Sequence, residues 1–322
     1  MTAADPTDAA LAELLGPALL RDHPLGPLCT YRVGGAARWF VEIHEVETLT
    51  RLAAVTSARD VATLVIGRGS NLLVSDAGFD GIAVQLGESF SAIEIADPDP
   101  GADEVLVVAG GATSLPVLAR RCVAAGVGGF EWAVGVPGSV GGAVRMNAGG
   151  HGSDIAASLV GVRVVDLATG EDVEVAAAQL DLTYRHSSLT ATQVVVSATF
   201  RLPLGDRRHG EAELSDIVAW RRANQPGGPN AGSVFTNPAD DSAGRLIDAA
   251  GGKGRRIGTA SVSDKHANFI QADPGGRADD IVALMADIRR MVSDTSGIDL
   301  QAETRLVGFS DTAVLAAGGR TP

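Results

Sequence analysis

Apolar positions along the chain fall into short periodic runs separated by polar, proline-rich and glycine-rich breaks, and the spacing within each run predicts an element. Val46 to Val55 has helical spacing, whereas Val61 to Ile66 is a β-rich run that stops at Gly67-Arg68-Gly69. Val105 to Val108 predicts another strand. Behind it Thr113 or Ser114 can cap a helix with Pro116 in its first turn, on which Leu115, Leu118, Ala119 and Cys122 share a face, so Cys122 is expected in the core. Val162 to Val165 and Val173 to Val175 flank a turn at Thr169-Gly170 like a hairpin, and Val194-Val195-Val196 reads as a buried strand. The chain changes character at Pro203 to Asp206. In the last third Ile281, Leu284, Met285, Ile288, Met291 and Val292 mark the clearer of two amphipathic helices. The acidic stretch Asp97-Pro98-Asp99-Pro100-Gly101-Ala102-Asp103 cannot hold regular structure and marks a surface loop or a boundary. After Ser310 the chain is rich in small residues and is expected to be mobile. The mixture predicts a multi-domain α+β protein.

Composition narrows the classes. The 322 residues suffice for two or three domains, and 45 % apolar with 20 % charged residues speaks against disordered or fibrous classes. Glycine is in excess, 40 residues or about 12 % against a usual value of about 7 %, which calls for special backbone angles or close approaches. A net charge of −13 argues against nucleic acid or an anionic membrane as a partner over a broad face, so an anionic ligand would have to be held locally. Cys29 and Cys122 form neither a metal cluster nor a disulfide framework, so no metal site is expected and a reducing cytoplasm suits the chain. Asp5 and Asp8 interrupt any secretory-signal pattern. Residues 122 to 144 carry Glu131 as their only charge, yet seven glycines and Pro137 among them predict a packed loop rather than a membrane span.

Two glycine-rich loops are candidates for chemistry. Gly67-Arg68-Gly69-Ser70-Asn71-Leu72-Leu73 follows a strand, and closely spaced glycines there could converge backbone N–H groups on a phosphate, with Ser70 and Asn71 as further donors. The loop has Leu72 where the dinucleotide fingerprint needs glycine, and it is no Walker loop, so a plain tight turn is the competing reading. The second loop, Gly135 to Gly150, has six glycines in sixteen residues with Arg145 and Asn147 beside them; it suits close approach to a phosphorylated ligand or simple close packing. Together the loops suggest a pyrophosphate-containing cofactor.

Seven motifs in order carry a resemblance: Thr30 to Gly35, Gly67 to Leu73, Gly135 to Asn147, Tyr184-Arg185-His186-Ser187, Gly232 to Pro238, Lys265 to Ile270 and Glu303-Thr304-Arg305. In these the chain resembles the UDP-N-acetylenolpyruvoylglucosamine reductase family over about residues 28 to 308. The resemblance implies a two-part FAD-binding half of the vanillyl-alcohol-oxidase type followed by a C-terminal α+β substrate-binding domain. The boundaries expected are 1–95 for the first FAD-binding subdomain with an N-terminal extension, 96–204 for the second, 205–310 for the substrate domain and 311–322 for a tail. It also implies FAD and NADPH as cofactors and UDP-N-acetylglucosamine enolpyruvate as substrate, reduced to UDP-N-acetylmuramate for peptidoglycan synthesis by a cytoplasmic monomer. An alcohol oxidase or dehydrogenase of the same cofactor superfamily, or an inactive flavin-binding protein, is the alternative.

Residue by residue, the resemblance assigns catalysis to Arg185, Ser233 and Glu303. It assigns cofactor binding to Gly67, Arg68, Gly69, Ser70, Asn71, Leu72, Pro137, Gly138, Ser139, Gly142, Ala143 and Asn147. Substrate binding falls to Arg222, Gln225, Asn237 and Arg305, with Arg221 beside them. Arginine offers a permanent cation for developing enolate charge, a buried Glu303 could share a proton, and Ser233 would deliver one to carbon. Taken without the family, Ser233 reads as a turn serine and Arg185 as a surface arginine. Alternation over Ile298 to Val307 puts Glu303 and Arg305 on one face of a predicted strand, facing a site or solvent. The chain departs from the family at Cys29, where asparagine is common, and at Gly150-His151, which replace Ala-Tyr. The short stretch from Arg185 to Ser233, in a chain whose only tyrosines are Tyr31 and Tyr184, places it in the subgroup without a tyrosine loop, and Arg305 is expected to take over part of the clamping.

Overall fold

The structure, a computed structural model describing residues 5–321, has eight α-helices among those residues, several of which start where a side chain satisfies their free N–H groups. They are α1 (Pro6–Leu15), α2 (Val46–Ala58), α3 (Leu115–Ala124), α4 (Val140–Arg145), α5 (Arg207–Asn224), α6 (Ala243–Ala249), α7 (Ala278–Ser296) and α8 (Asp311–Ala316). Asp5, Ser139, Ser242 and Ser310 cap α1, α4, α6 and α8 by accepting from backbone N–H groups of the first turn. Gly297, at φ +71°, closes α7 in a left-handed turn. The predicted helix at 46–55 is α2, the helix predicted behind Thr113 or Ser114 is α3, with Ser114 at its N-cap position but no side-chain cap bond, and the periodic run at 281–292 lies in α7.

The chain divides into two compact units. The first comprises the described residues up to Arg21, Trp39–Arg68 and Gly81–Arg221. Its largest sheet has five strands in the spatial order Asp172–Ala176, Leu159–Asp166, Gln193–Pro203, Glu104–Gly110 and Ile93–Ile95. The predicted hairpin is present, with Val162 opposite Val175 and Val164 opposite Val173. One core, which includes Leu115, Leu118, Ala119, Cys122, Phe130 and Phe200, lies under this sheet, and another gathers α1, α2 and the strands Ala36–Ile43 and Phe79–Leu86 around Leu11, Leu49, Leu52 and Ile82.

The second unit is assembled from three stretches, Asp22–Arg38, Gly69–Asp80 and the chain from Arg222 onward. Its core joins Tyr31, Val33 and Leu73 to Phe235, Ile281, Leu284, Met285 and Ile288, which is the predicted apolar face of α7. Strand Leu72–Val74 pairs in parallel with Arg305–Val307, and a three-stranded sheet runs Arg256–Ile257, Ala260–Val262, Ile270–Ala272. Asp76 accepts from the N–H groups of Ala278 and Asp279 at 2.9 and 3.1 Å and so caps α7 from far away in sequence.

Two stretches differ from their sequence pattern. Only Arg305–Val307 of the alternating run 298–307 is a strand, because Ala302 instead bridges to Phe235 and donates its N–H to Gly318. Residues 311–316, expected in a mobile tail, form α8, and Ala317 behind it is fully buried. No helix among the described residues is long and apolar enough to cross a membrane; residues 122–144 hold parts of α3 and α4 and a short 3-10 turn instead.

Candidate functional site

In the first unit, strand Thr63–Ile66 delivers Gly67, and a Cβ built on it would lie 2.4 Å from Ser139 Oγ. The glycine therefore allows the two loops to touch. Ser139 Oγ accepts from Gly142 N at 3.3 Å, while the amides of Val140, Gly141 and Ala143 donate to Thr113, Gly111 and Ser139 carbonyls at 2.8, 2.9 and 2.9 Å. These four amides are committed inside the protein. Those of Gly138 and Ser139 donate to no acceptor among the described residues, so the N-terminal edge of α4 is the part of this loop able to meet an anion. Pro137 and Gly142 are exposed and Ala143 is buried.

Asn147 and Arg145, which the sequence sets beside a ligand, turn inward. Asn147 is buried at φ +38°, its Nδ2 donating to Thr183 O at 2.9 Å and Asp154 Oδ2 at 3.2 Å, its Oδ1 accepting from Ala156 N at 3.0 Å. Arg145 donates to the carbonyls of Leu189 and Thr190. Arg185 sits at φ +56° in a tight turn closed by mutual Thr183–His186 backbone bonds. Its guanidinium donates to Gly149 O at 2.9 Å and lies 5.1 Å from the ring centre of exposed Tyr184. Half-buried Arg221 has its pKa lowered by desolvation.

In the second unit, Gly69 adopts φ +60°, and a Cβ there would lie 2.1 Å from Leu28 O, so no other residue fits. Its carbonyl accepts from Thr30 N at 3.1 Å and Thr30 Oγ1 at 3.3 Å. The successive amides of Gly69, Ser70 and Asn71 donate to no acceptor among the described residues, and neither does that of exposed Arg68. Consecutive unengaged amides around a left-handed glycine form the kind of concavity that receives a phosphate, so the residues present fit the diphosphate of FAD. Asn71 uses its side chain otherwise: Nδ2 donates to Glu303 O at 3.0 Å, and its carbonyl accepts from Arg305 N at 3.0 Å. Leu72 pairs with Arg305 in the parallel ladder.

The same unit brings together the stretches that carry Ser233 and Glu303. Half-buried Ser233 follows Gly232, at φ +77°, and the next carbonyl, that of Val234, accepts from Glu303 N at 2.8 Å and from Thr304 N at 3.3 Å. Arg305 extends from the following strand with an exposed side chain. Gln225 lies just past the end of α5, Arg222 is exposed with its carbonyl taking Lys265 Nζ at 2.6 Å, and Asn237 Oδ1 accepts from Ala243 N at 3.0 Å. Sequence reasoning left Asn268 without a role, although it stands inside a motif and between apolar Ala267 and Phe269. It is buried and pairs with the backbone of Val234 and Phe235. Its neighbour His266, half-buried, has its pKa lowered by desolvation and by Lys253.

Residues 37–176 match the family model described as FAD binding domain. With the α+β fold, this match defines a flavin-dependent oxidoreductase. Residues 223–307 match the model described as UDP-N-acetylenolpyruvoylglucosamine reductase, C-terminal domain, and the chain belongs to that reductase family. The reductase of Synechococcus sp. (strain RCC307) is 40% identical over 303 residues, covering 93% of this chain and 97% of the relative. That of Sphingopyxis alaskensis is 41% identical over 289 residues, with 89% and 94% covered. The crystal structure of UDP-N-acetylenolpyruvylglucosamine reductase (MurB) from Thermus caldophilus superposes with a TM-score of 0.75 at 30% identity, covering 90% of this chain and 98% of that one. Likeness over whole chains at this level favours the reductase over an alcohol oxidase or an inactive flavin-binding protein.

Proposed function

We propose that the protein carries out the reaction its family is named for, the NADPH-dependent reduction of UDP-N-acetylglucosamine enolpyruvate to UDP-N-acetylmuramate, a step in peptidoglycan precursor synthesis. FAD, when bound, supplies the two-electron reduction of the enolpyruvyl double bond. The Gly69–Asn71 amides would take phosphate oxygens of the cofactor, and the Gly138 and Ser139 amides are further candidates for that role. Gly67, Arg68, Leu72, Pro137, Gly142 and Ala143 are assigned to the cofactor by the family resemblance. Asn147 serves through its fold, since its side chain is committed to Asp154, Thr183 and Ala156.

The chain's own groups manage charge and a proton. Reduction at the methylene carbon leaves negative charge delocalised toward the substrate carboxylate, and the Arg185 guanidinium stabilises it as a permanent cation. Ser233 Oγ gives its proton to the neighbouring carbon. A serine hydroxyl is a weak acid, so the step depends on placing Oγ against a newly formed strong base. Glu303, in its protonated form, would share its proton with the enolate on the substrate's carboxylate side and so steady it. Arg222 and Gln225 meet the diphosphate, with Arg221 beside them, Asn237 meets the nucleotide, and Arg305 clamps where other members use a tyrosine loop. We place the enzyme in the cytoplasm as a monomer.

The observation that supports this reading is the Glu303 N–Val234 O bond, which holds the backbone of Glu303 against the residue that follows Ser233, within the region that matches the reductase family's C-terminal model. The deciding experiment is simple. Purified protein should be yellow and should oxidise NADPH only when UDP-N-acetylglucosamine enolpyruvate is present; a colourless protein, or one indifferent to that substrate, overturns the reading.

A further inference from the structure

Asn268 is 3 % exposed, and a buried amide is costly unless each of its polar groups finds a partner. Here each does. Oδ1 accepts from Phe235 N at 3.0 Å, Nδ2 donates to Phe235 O at 2.8 Å, and the Asn268 carbonyl accepts from Val234 N at 2.9 Å. The side chain thus reads both backbone groups of one residue, as a neighbouring strand would, at a place where no strand runs. Its own N–H donates to His266 Nδ1 at 3.3 Å, which anchors the asparagine in turn.

The other edge of the same peptide is held by Glu303 and Thr304 through Val234 O. The Val234–Phe235 segment is therefore gripped from both sides, and Ser233 is the residue directly before it. On its far side stands Gly232 at φ +77°, in a region most residues avoid, with its N–H donating to Asn230 Oδ1 at 3.1 Å. Of the two grips, only the one from Asn268 depends on a side chain.

From this geometry we infer that Asn268 is the positioning residue for Ser233: it fixes the serine Oγ against the carbon that Ser233 protonates, and through Val234 O it sets the offset between Ser233 and Glu303. The inference rests on the proton-donor reading of Ser233. Misplacement of a reacting group by about 1 Å can cost about 100-fold in rate.

The test uses the FAD-loaded full-length enzyme and separates its half-reactions by rapid mixing. Asn268→Ala should slow flavin reoxidation by UDP-N-acetylglucosamine enolpyruvate by about 10- to 100-fold and leave reduction by NADPH within about twofold. In a Ser233→Ala background the same change should add less than about twofold, because the group it positions is gone. Losses that multiply in the double variant, or equal losses in both half-reactions, overturn the positioning role alone. A Ser233→Ala enzyme that is reoxidised at the wild-type rate overturns the serine reading, and this inference with it. Asn268→Asp, which keeps the shape and the Oδ1 acceptor but sets an acceptor against Phe235 O, gives a second readout independent of turnover. Amide hydrogen exchange over residues 232–236 should quicken at least tenfold in it, and unchanged exchange overturns the inference.

Discussion

Ser233 and Glu303 are the two residues proposed to handle the proton, and each role can be tested by itself. If Ser233 Oγ is the proton source, Ser233→Ala should leave flavin reduction by NADPH nearly intact and slow reoxidation by substrate by about 100-fold or more, the usual weight of a general acid. Glu303→Gln should divide the half-reactions in the same way, with FAD retained; stopped-flow absorbance at the flavin band reads both. Gly69 is a sharper case. A methyl group there meets Leu28 O at 2.1 Å in a backbone region that costs an L-residue about 1 to 3 kcal/mol. Gly69→Ala should therefore purify with less FAD and a lower melting temperature. Gly142→Ala, whose added Cβ would stand 3.4 Å from Ser139 Oγ, should leave the melting temperature unchanged.

At the level of elements, the cap of α7 is a test of long-range assembly. Asp76 satisfies two N–H groups at the helix start and pairs with Arg277, so Asp76→Ala should cost about 1 to 2 kcal/mol, and Asp76→Asn should recover part of it; chemical denaturation measures both. Helix α3 makes a prediction about pH. Burial pushes the Cys122 thiol up to about 12 and that of Cys29 up to about 11. In the unfolded chain both thiols ionise near their ordinary values, so above about pH 9 the unfolded state binds fewer protons than the native one and stability falls as pH rises. The melting temperature should drop between pH 8 and 10, and the slope should be shallower in a variant with Cys29 and Cys122 replaced by alanine. Elements like α3 were legible because their apolar residues repeat within a dozen positions. The strand expected over Ile298 to Val307 was not, since its partners are Leu72–Val74, Phe235 and Gly318, and nothing local in the sequence announces them.

For the whole molecule, binding that belongs to the native state alone stabilises it by mass action, by about 2.7 kcal/mol at a hundredfold excess over the dissociation constant. Protein stripped of FAD should melt earlier than the loaded form, and added FAD should restore the difference in a concentration-dependent way, which differential scanning fluorimetry follows. The ordered motifs made the family legible, as did the mixed α+β class. What stayed hidden was the use made of individual side chains. The sequence points Asn71, Asn147 and Arg145 at ligands because asparagine and arginine carry donors, yet each has donors engaged by backbone carbonyls of its own fold. Asn268 went unassigned for the converse reason: a buried amide between apolar neighbours looks inert until its partners are located.

The second unit's assembly from three stretches has a consequence for how the chain is made. On a ribosome the residues through Arg221 emerge before any of the last hundred, so the first unit can close while Tyr31, Val33 and Leu73 still lack the apolar faces of α7 that cover them. Until the C-terminal stretch arrives, two short segments near the start of the chain wait with their greasy side chains uncovered. Slower synthesis over the last third would lengthen that interval, and with it the time in which those segments are open to chaperones or to misassembly.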